Sequence, residues 1–427
     1  VRDPVEEFMS HNRALAQRSP ELLRLKVARM AQSTFAFFRG TFHLYAWDII
    51  ERRTVSLPAS TSDAAELDLV GDIHCENYGA FKAADGLVHF DVNDFDETTQ
   101  GRFDVDVCRL ATSVLLAAQE RSDPLPQVVM APLAALATYT ETVIPALKKS
   151  KDLDYDINEA KPGAYAPVAD LVAASAAAKR PAFIARLTEI KNGHRRVVRT
   201  TQYFNLSDAE RDQAERLLAD YRARLVSPAT MKDYYNVEDV CGRVSGIGSM
   251  GRYRYAVLLS GKGSAEARNV LIEFKEALPS AYDIYRNRDN GPEGPVRRAE
   301  RVIAMQRLSQ ASPSAHLGYA IDGKQSFQAR EIGPASARVE TRALKSPDAL
   351  HEVGRAQAAI LARVHGRSAQ RAVGPANPLA EFADPDAFCQ RVLAFALAYA
   401  DQVRRDYARF VGMRPEIENV SNWAKPA

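Results

Sequence analysis

The stretch Gly71-Asp72-Ile73-His74-Cys75-Glu76-Asn77, followed by Phe90-Asp91-Val92-Asn93-Asp94-Phe95-Asp96-Glu97, constrains this chain more than any other part of it. Between the two lie runs with strand character, 78–83 and 87–91, separated by the turn residues Ala84-Asp85-Gly86. That pattern predicts one β-hairpin. An Asp and an Asn five residues apart therefore precede the hairpin in sequence, and several carboxylates follow it. Metal-assisted phosphoryl transfer needs such a set: one carboxylate orients the nucleophile, and an amide oxygen and a second carboxylate hold magnesium.

On this reading Asp72 is the catalytic residue, orienting the acceptor hydroxyl, and Asn77 and Asp91 are magnesium ligands. Asp94 and Asp96 add charge nearby, and either can replace Asp91 if the hairpin register shifts by a residue. A Gly-Asp pair by itself more often marks a turn or a helix cap. His74 reads as a packed residue that shapes the loop, since metal ligation with Cys75 lacks further soft ligands. Cys75 has no base at a recognisable spacing and is a poor nucleophile candidate. Asp106 reads as structural.

The second motif is Gly246-Ile247-Gly248-Ser249-Met250-Gly251, a G-x-G-x-x-G. In a dinucleotide-binding fold the third glycine opens a helix. Here the apolar and aromatic run Arg252-Tyr253-Arg254-Tyr255-Ala256-Val257-Leu258-Leu259 follows, which predicts a strand. Strand, glycine loop, strand is the form that covers nucleotide phosphates, so Gly246, Gly248, Ser249 and Gly251 are expected to bind ATP. The next apolar strand ends in Lys275, placed to reach the α and β phosphates. Its expected acidic partner is Glu300 on the helix 295–310, with Glu293 as the lesser choice and a surface ion pair as the competing explanation.

These residues resemble the aminoglycoside and choline phosphotransferases, which are kinase-like small-molecule kinases. Gly71-Asp72-Ile73-His74 with Asn77 is similar to their catalytic loop, Phe90-Asp91 to their magnesium-binding strand end, and 104–111 to the following helix start, whose Asp braces the catalytic loop. Leu361-Ala362-Arg363-Val364-His365 resembles the helix running up to that loop. From about Phe35 to Phe410 the chain also resembles a large bacterial family known as a domain of unknown function. Its shared motifs stand here as Phe37-Phe38-Arg39-Gly40, Gly71 to Asn77, Asn93 to Glu97, Arg109-Leu110-Ala111-Thr112-Ser113, Gly246 to Gly251, Lys275-Glu276-Ala277 and Gln306-Arg307-Leu308-Ser309-Gln310. Two details differ: Val70 stands where many kinases have His, and 335–338 lacks an Asp-x-Lys pair often found in that family.

In kinases the glycine loop and lysine precede the catalytic loop, whereas here they follow it. The resemblance therefore implies an α+β, protein-kinase-like two-lobe fold, circularly permuted. The expected parts are an N-terminal helical segment (1–60), the first part of a largely helical lobe with catalytic loop and hairpin (61–233), a small antiparallel β lobe for the nucleotide (234–335), and C-terminal helices completing the helical lobe (336–427). Strands are expected at 67–70, 237–245, 253–260, 269–276 and 325–330, and helices at 106–120, 125–149, 349–365 and 384–410. A hairpin is expected around Lys191-Asn192-Gly193-His194. The aromatic stretch 35–42 reads as a core helix end, with an inward-pointing Arg39 as the minority reading.

Composition narrows the function classes. Net charge is +2 over 427 residues, which gives no pull toward nucleic acid or an anionic membrane. No apolar run approaching a membrane span and no basic-then-apolar signal pattern stands out. Four cysteines without a CxxC pair fit reduced, cytoplasmic thiols. The expectation is an ATP- and Mg-dependent phosphotransferase acting on an unidentified small molecule or protein, of unassigned oligomeric state. The alternatives are a nucleotide-binding pseudokinase and a kinase-like AMP transferase. A dinucleotide oxidoreductase is disfavoured by the strand after Gly251.

Overall fold

A computed structural model describes residues 2–51, 66–148, 157, 163–225, 236–248, 250–261, 268–287, 293–371, 378–420 and 423. The chain opens with five short helices, α1 (Pro4–His11), α2 (Arg13–Arg18), α3 (Pro20–Met30), α4 (Thr34–Gly40) and α5 (Phe42–Glu51). Side chains of Asp3, Ser19 and Ser33 cap α1, α3 and α4 by accepting from backbone N–H groups of the first turn, and Pro opens α1 and α3. These caps break what the sequence suggested as a mostly continuous helical region into separate pieces. Then come β1 (Glu66–Leu69), the hairpin β2 (Tyr78–Lys82) and β3 (Val88–Val92), and β4 (Thr99–Arg102). Helices α6 (Asp104–Glu120), α7 (Leu125–Leu147), α8 (Ala166–Ala177) and α9 (Arg180–Leu187) follow.

The middle of the chain supplies β5 (Thr188–Lys191), β6 (His194–Val197), β7 (Tyr203–Phe204), α10 (Asp208–Arg224), β8 (Asn236–Arg243), β9 (Arg254–Ser260) and β10 (Asn269–Glu276). After these come α11 (Ala281–Arg286), α12 (Pro295–Ser309), β11 (Gly318–Asp322), β12 (Gln325–Glu331) and β13 (Ala337–Arg338). The chain ends in α13 (Pro347–Arg371), α14 (Pro385–Gly412) and α15 (Arg414–Glu418). The fold is mixed α+β, and its named sheets are antiparallel. The largest is six-stranded, in the order β11-β12-β10-β9-β8-β7, and β13 pairs with the β2–β3 hairpin. The expected hairpin at 191–194 is β5–β6, where Asn192 and Gly193 both take positive φ.

Two packing centres account for these elements. One joins both ends of the chain: Phe8, Phe37 and Tyr45 pack with Leu115, Ile360, Tyr399 and Phe410. The other lies on the six-stranded sheet. Its strands alternate, so Val257, Leu259, Ile272 and Phe274 face Leu217 and Tyr221 of α10, while Ala256, Leu258 and Leu271 pack with Ile184 and Val197 on the opposite face. Residues from α9 to α10 therefore pack on the sheet, ahead of the β-unit start at 234 expected from the sequence. One helix, α7, is by length and composition apolar enough to cross a membrane, which the sequence reading missed. Half of its most apolar window is buried within the protein, including Val128, Ala131, Leu136 and Tyr139.

Candidate functional site

Helix α6 builds the loop that carries Asp72. Asp106, Arg109 and Ser113 are spaced three and four residues apart, which puts them on one face of that helix. The Asp106 carboxylate accepts from Val70 N at 2.7 Å and Gly71 N at 2.9 Å. Ser113 Oγ accepts from Cys75 N at 2.7 Å. Arg109, fully buried, donates to Asp72 Oδ1 through Nε at 3.1 Å and Nη2 at 2.6 Å. Its guanidinium lies 3.6 Å from the centre of the Phe38 ring. From α13, Gln357 donates to Cys75 O at 2.7 Å.

Gly71 joins this loop to the carboxylate run. It has φ +85°, and a Cβ there would lie 2.1 Å from the Glu97 carbonyl oxygen, so a side chain would drive the two segments apart. Asn77 closes the connection: its Nδ2 donates to Asp72 O at 2.9 Å and to Asp94 O at 3.1 Å. Both carbonyls take the amide nitrogen, which leaves Asn77 Oδ1 as the group it can offer a cation. The loop's other polar side chains are quiet. His74 Nδ1 accepts from Glu76 N, and burial holds the ring well below its usual pKa and neutral. Burial pushes the Cys75 thiol up to about 12, so it is no nucleophile at neutral pH.

The opposite wall is the sheet. Strand β10 turns Glu273 and Lys275 to the face opposite Ile272 and Phe274, with Arg254 of β9 and Gln328 of β12 flanking Lys275 in register. Glu273 is surrounded by Arg243, Arg254 at 2.9 Å and Arg330 at 3.3 Å. Desolvation alone would raise its pKa, but the three guanidinium groups and Lys275 hold it well below the usual range. Lys275, 1% exposed, reaches across the cleft, donating to Asp94 Oδ1 at 2.8 Å and pairing with Asp96. Burial lowers the Lys275 pKa despite those two carboxylates. Asp94 is held below its usual value: desolvation would raise it, and Lys275, Arg254 and Arg330 outweigh that.

The glycine loop covers the catalytic candidate. A Cβ on Gly248 would stand 3.8 Å from Asp72 Oδ2 and 3.4 Å from the Arg39 carbonyl, so the backbone here passes directly over the carboxylate. A cavity of about 160 Å³ between the walls is lined by Asp72, Asn77, Asp94, Gly246, Gly248 and Arg254, among others. Burial lifts the Asp72 carboxyl to about 6, against the pull of Arg109, and 17% of its side chain stays open to the cavity. A carboxylate near 6 is suited to accept a proton at neutral pH.

Several expected residues fall elsewhere. Asp91, 1% exposed, pairs with Arg363 and accepts from Ala311 N at 3.2 Å, which leaves it inside the packed lobe and off the cleft. It lies within β3, whereas Asp94 follows the strand end, where the backbone leaves the sheet. Glu300 does not meet Lys275; it accepts from Tyr319 Oη of β11 at 3.2 Å. Gly251 (φ +105°) abuts Leu15 and does not line the cavity. Ser249 lies outside the described residues. The sequence reading missed Arg109 and Glu76 and gave Arg39 only a minor role. Arg39 in fact lines the cavity and pairs with Glu76, whose Oε1 accepts from Thr341 N. The helical spacing of Asp106, Arg109 and Ser113 was the signal available for Arg109.

For a magnesium ion the fitting donors are Asn77 Oδ1 and the Asp94 carboxylate, which is 40% exposed toward the cleft. Oxygen donors of this kind are what that ion takes, and it retains waters for its other positions. Among the described residues no group of three or more His, Cys, Asp or Glu is placed to hold a metal ion.

Residues 18–413 match the family described as "Uncharacterized protein conserved in bacteria (DUF2252)", and the chain belongs to it. No curated protein and no solved structure matches the chain.

Proposed function

We propose that this member of the bacterial family is a kinase-like, ATP- and Mg-dependent phosphotransferase, built as a circularly permuted protein-kinase-like fold. The observation that carries the proposal is the meeting, in one cleft, of three features far apart in sequence: Asp72 under Gly248, and Lys275 bridged to Asp94. In this reading Asp72 orients the acceptor hydroxyl and takes its proton. Lys275 and Arg254 neutralise the donor phosphates. Asn77 and Asp94 would hold magnesium, which supplies charge neutralisation to the phosphates. A larger neighbouring cavity of about 700 Å³ shares Ser245, Gly246 and Arg330 with the inner one and is bordered by Phe81, Val244, Ile332 and Pro334. Apolar groups flanking a polar cavity suit a nucleoside.

The two ends of the chain share one core, as a permuted helical lobe requires. The brace from Asp106 to the loop backbone also agrees with the resemblance noted in the sequence. The test is incubation with γ-labelled and α-labelled ATP and magnesium in the presence of a metabolite or protein extract. Transfer of γ label by the wild type and none by Asp72→Asn supports phosphotransfer. Transfer of α label alone would replace it with AMP transfer.

A further inference from the structure

The inner cavity has a side that this reaction scheme leaves unused. The N-terminal helices bring Lys26, Arg39 and His43 to its wall, and Arg252 joins them from beyond the glycine loop. Three buried nitrogen atoms there have no hydrogen-bond partner among the described residues: Arg39 Nε, Arg252 Nη1 and His43 Nε2. Lys26 is 3% exposed, and its only hydrogen bond among the described residues is to Asn12 Oδ1, at 2.8 Å. Carboxylates account for part of each guanidinium: Glu76 pairs with Arg39, Glu97 accepts from Arg252 Nη2 at 2.8 Å, and Asp96 lies 3.6 Å from Arg252 Nε. Lys26 has no carboxylate in contact among the described residues.

Buried polar groups without partners are costly, and cations gathered on one cavity wall call for an anion beside them. A neutral ligand would leave the Lys26 charge uncompensated. A carboxylate would satisfy two or three donors in a plane. A tetrahedral oxyanion presents acceptors in several directions and suits guanidinium donors arriving from different elements. Burial without a counter-ion also holds the Lys26 ammonium down to about 8, the condition that an arriving anion relieves.

We infer that Lys26, Arg39 and Arg252 form a phosphoryl-binding site in the inner cavity. The inference deepens the phosphotransferase reading, because it places a second phosphoryl group next to Asp72. That group is either the terminal phosphate of the donor or a phosphate carried by the acceptor.

The probe is inorganic phosphate, titrated calorimetrically into the full chain in EDTA at constant ionic strength. Binding by the wild type that weakens about tenfold or more in both Lys26→Met and Arg252→Gln, and is unchanged in the surface variant Lys324→Gln, is the expected result. Lys26→Met keeps the buried stem and removes the charge, so it should fold; unfolding temperatures of each variant check this. Repeating the titration with saturating magnesium and a non-hydrolysable ATP analogue separates the two sources. Competition assigns the site to the donor's terminal phosphate, and simultaneous binding assigns it to the acceptor. If the wild type binds no phosphate at millimolar concentration, or if Lys26→Met and Arg252→Gln bind as the wild type does, the site holds only water and the inference fails. The titration needs neither nucleotide nor transfer. Phosphate binding without any label transfer would therefore sink the phosphotransferase reading and leave the site standing.

Discussion

The helical wall of the cleft holds Asp72, Asn77 and Asp94 on backbone tied down by Asp106, Ser113 and Gln357, all from two helices of one core. The sheet wall holds Lys275 and Arg254 by strand register, with the charges balanced around the buried carboxylate of Glu273. The helical wall fixes its loop through hydrogen bonds to the backbone and holds Asp72 with one buried arginine; the sheet wall is fixed through a network of ion pairs in a low-dielectric setting. The difference teaches where each wall is vulnerable. Removing one side chain from the helical wall should cost activity and little stability, unless that side chain lies in the core. Removing Glu273 from the sheet wall should cost the fold, because three guanidinium groups lose their counter-charge.

Asp72→Asn is the largest expected effect. Label transfer should fall by at least about a hundredfold, the usual worth of a positioned base. Nucleotide affinity should stay within a few-fold, measured by calorimetry. Loss of affinity equal to the loss of rate would mean that Asp72 is a binding residue only.

Next come the two carboxylates that sequence could not tell apart. Asp91→Asn breaks a buried pair with Arg363 and should destabilise by about 3–5 kcal/mol in urea unfolding, with activity per folded molecule kept. Asp94→Asn should do the reverse, abolishing the magnesium dependence of nucleotide binding at nearly unchanged stability. Glu273→Gln should resemble Asp91→Asn in stability and would break the comparison if it unfolded no more easily than the wild type.

Acid should weaken the helical wall in particular. His43 and His74 are buried there with pKa values held well below 6.5 by desolvation. The unfolded chain takes up protons near 6.5 that the folded chain refuses, so their contribution is present above that pH and is lost as pH falls through and below it. Unfolding temperature should therefore decline from pH 7 toward pH 5, and His43→Gln should flatten that decline. The smallest effect is Glu300→Gln, within about 0.5 kcal/mol and without change in nucleotide affinity.

Much of this was legible in the sequence where local pattern decides. The strands at 254–260 and 269–276, the hairpin at 78–92 and the helix from 295 lie where the periodicity put them, and Asp72, Asn77, Gly248 and Lys275 do line or reach one cleft. The errors concern partners. Lys275 was given Glu300 because both sit at helix or strand positions known from kinase-like chains, yet the side chain meets Asp94 and Asp96 from a segment nearly two hundred positions earlier. Asp91 and Asp94 both stand as magnesium candidates in the sequence, because strand content is visible there and the direction of a side chain is not. Arg39 shows in the sequence only as a minority reading, and Arg252 not at all, because their placement depends on long-range packing of the N-terminal helices against the glycine loop.

The central claim is that the two walls bind one magnesium nucleotide. The most direct measurement is calorimetric titration of a non-hydrolysable ATP analogue into the full chain, with and without magnesium, for the wild type, Lys275→Met and Asp94→Asn. The account predicts magnesium-dependent binding at one site in the wild type, weakened at least tenfold in Lys275→Met, and no magnesium dependence in Asp94→Asn. Wild-type protein that binds no nucleotide, or binds it equally well in all three proteins, would contradict it.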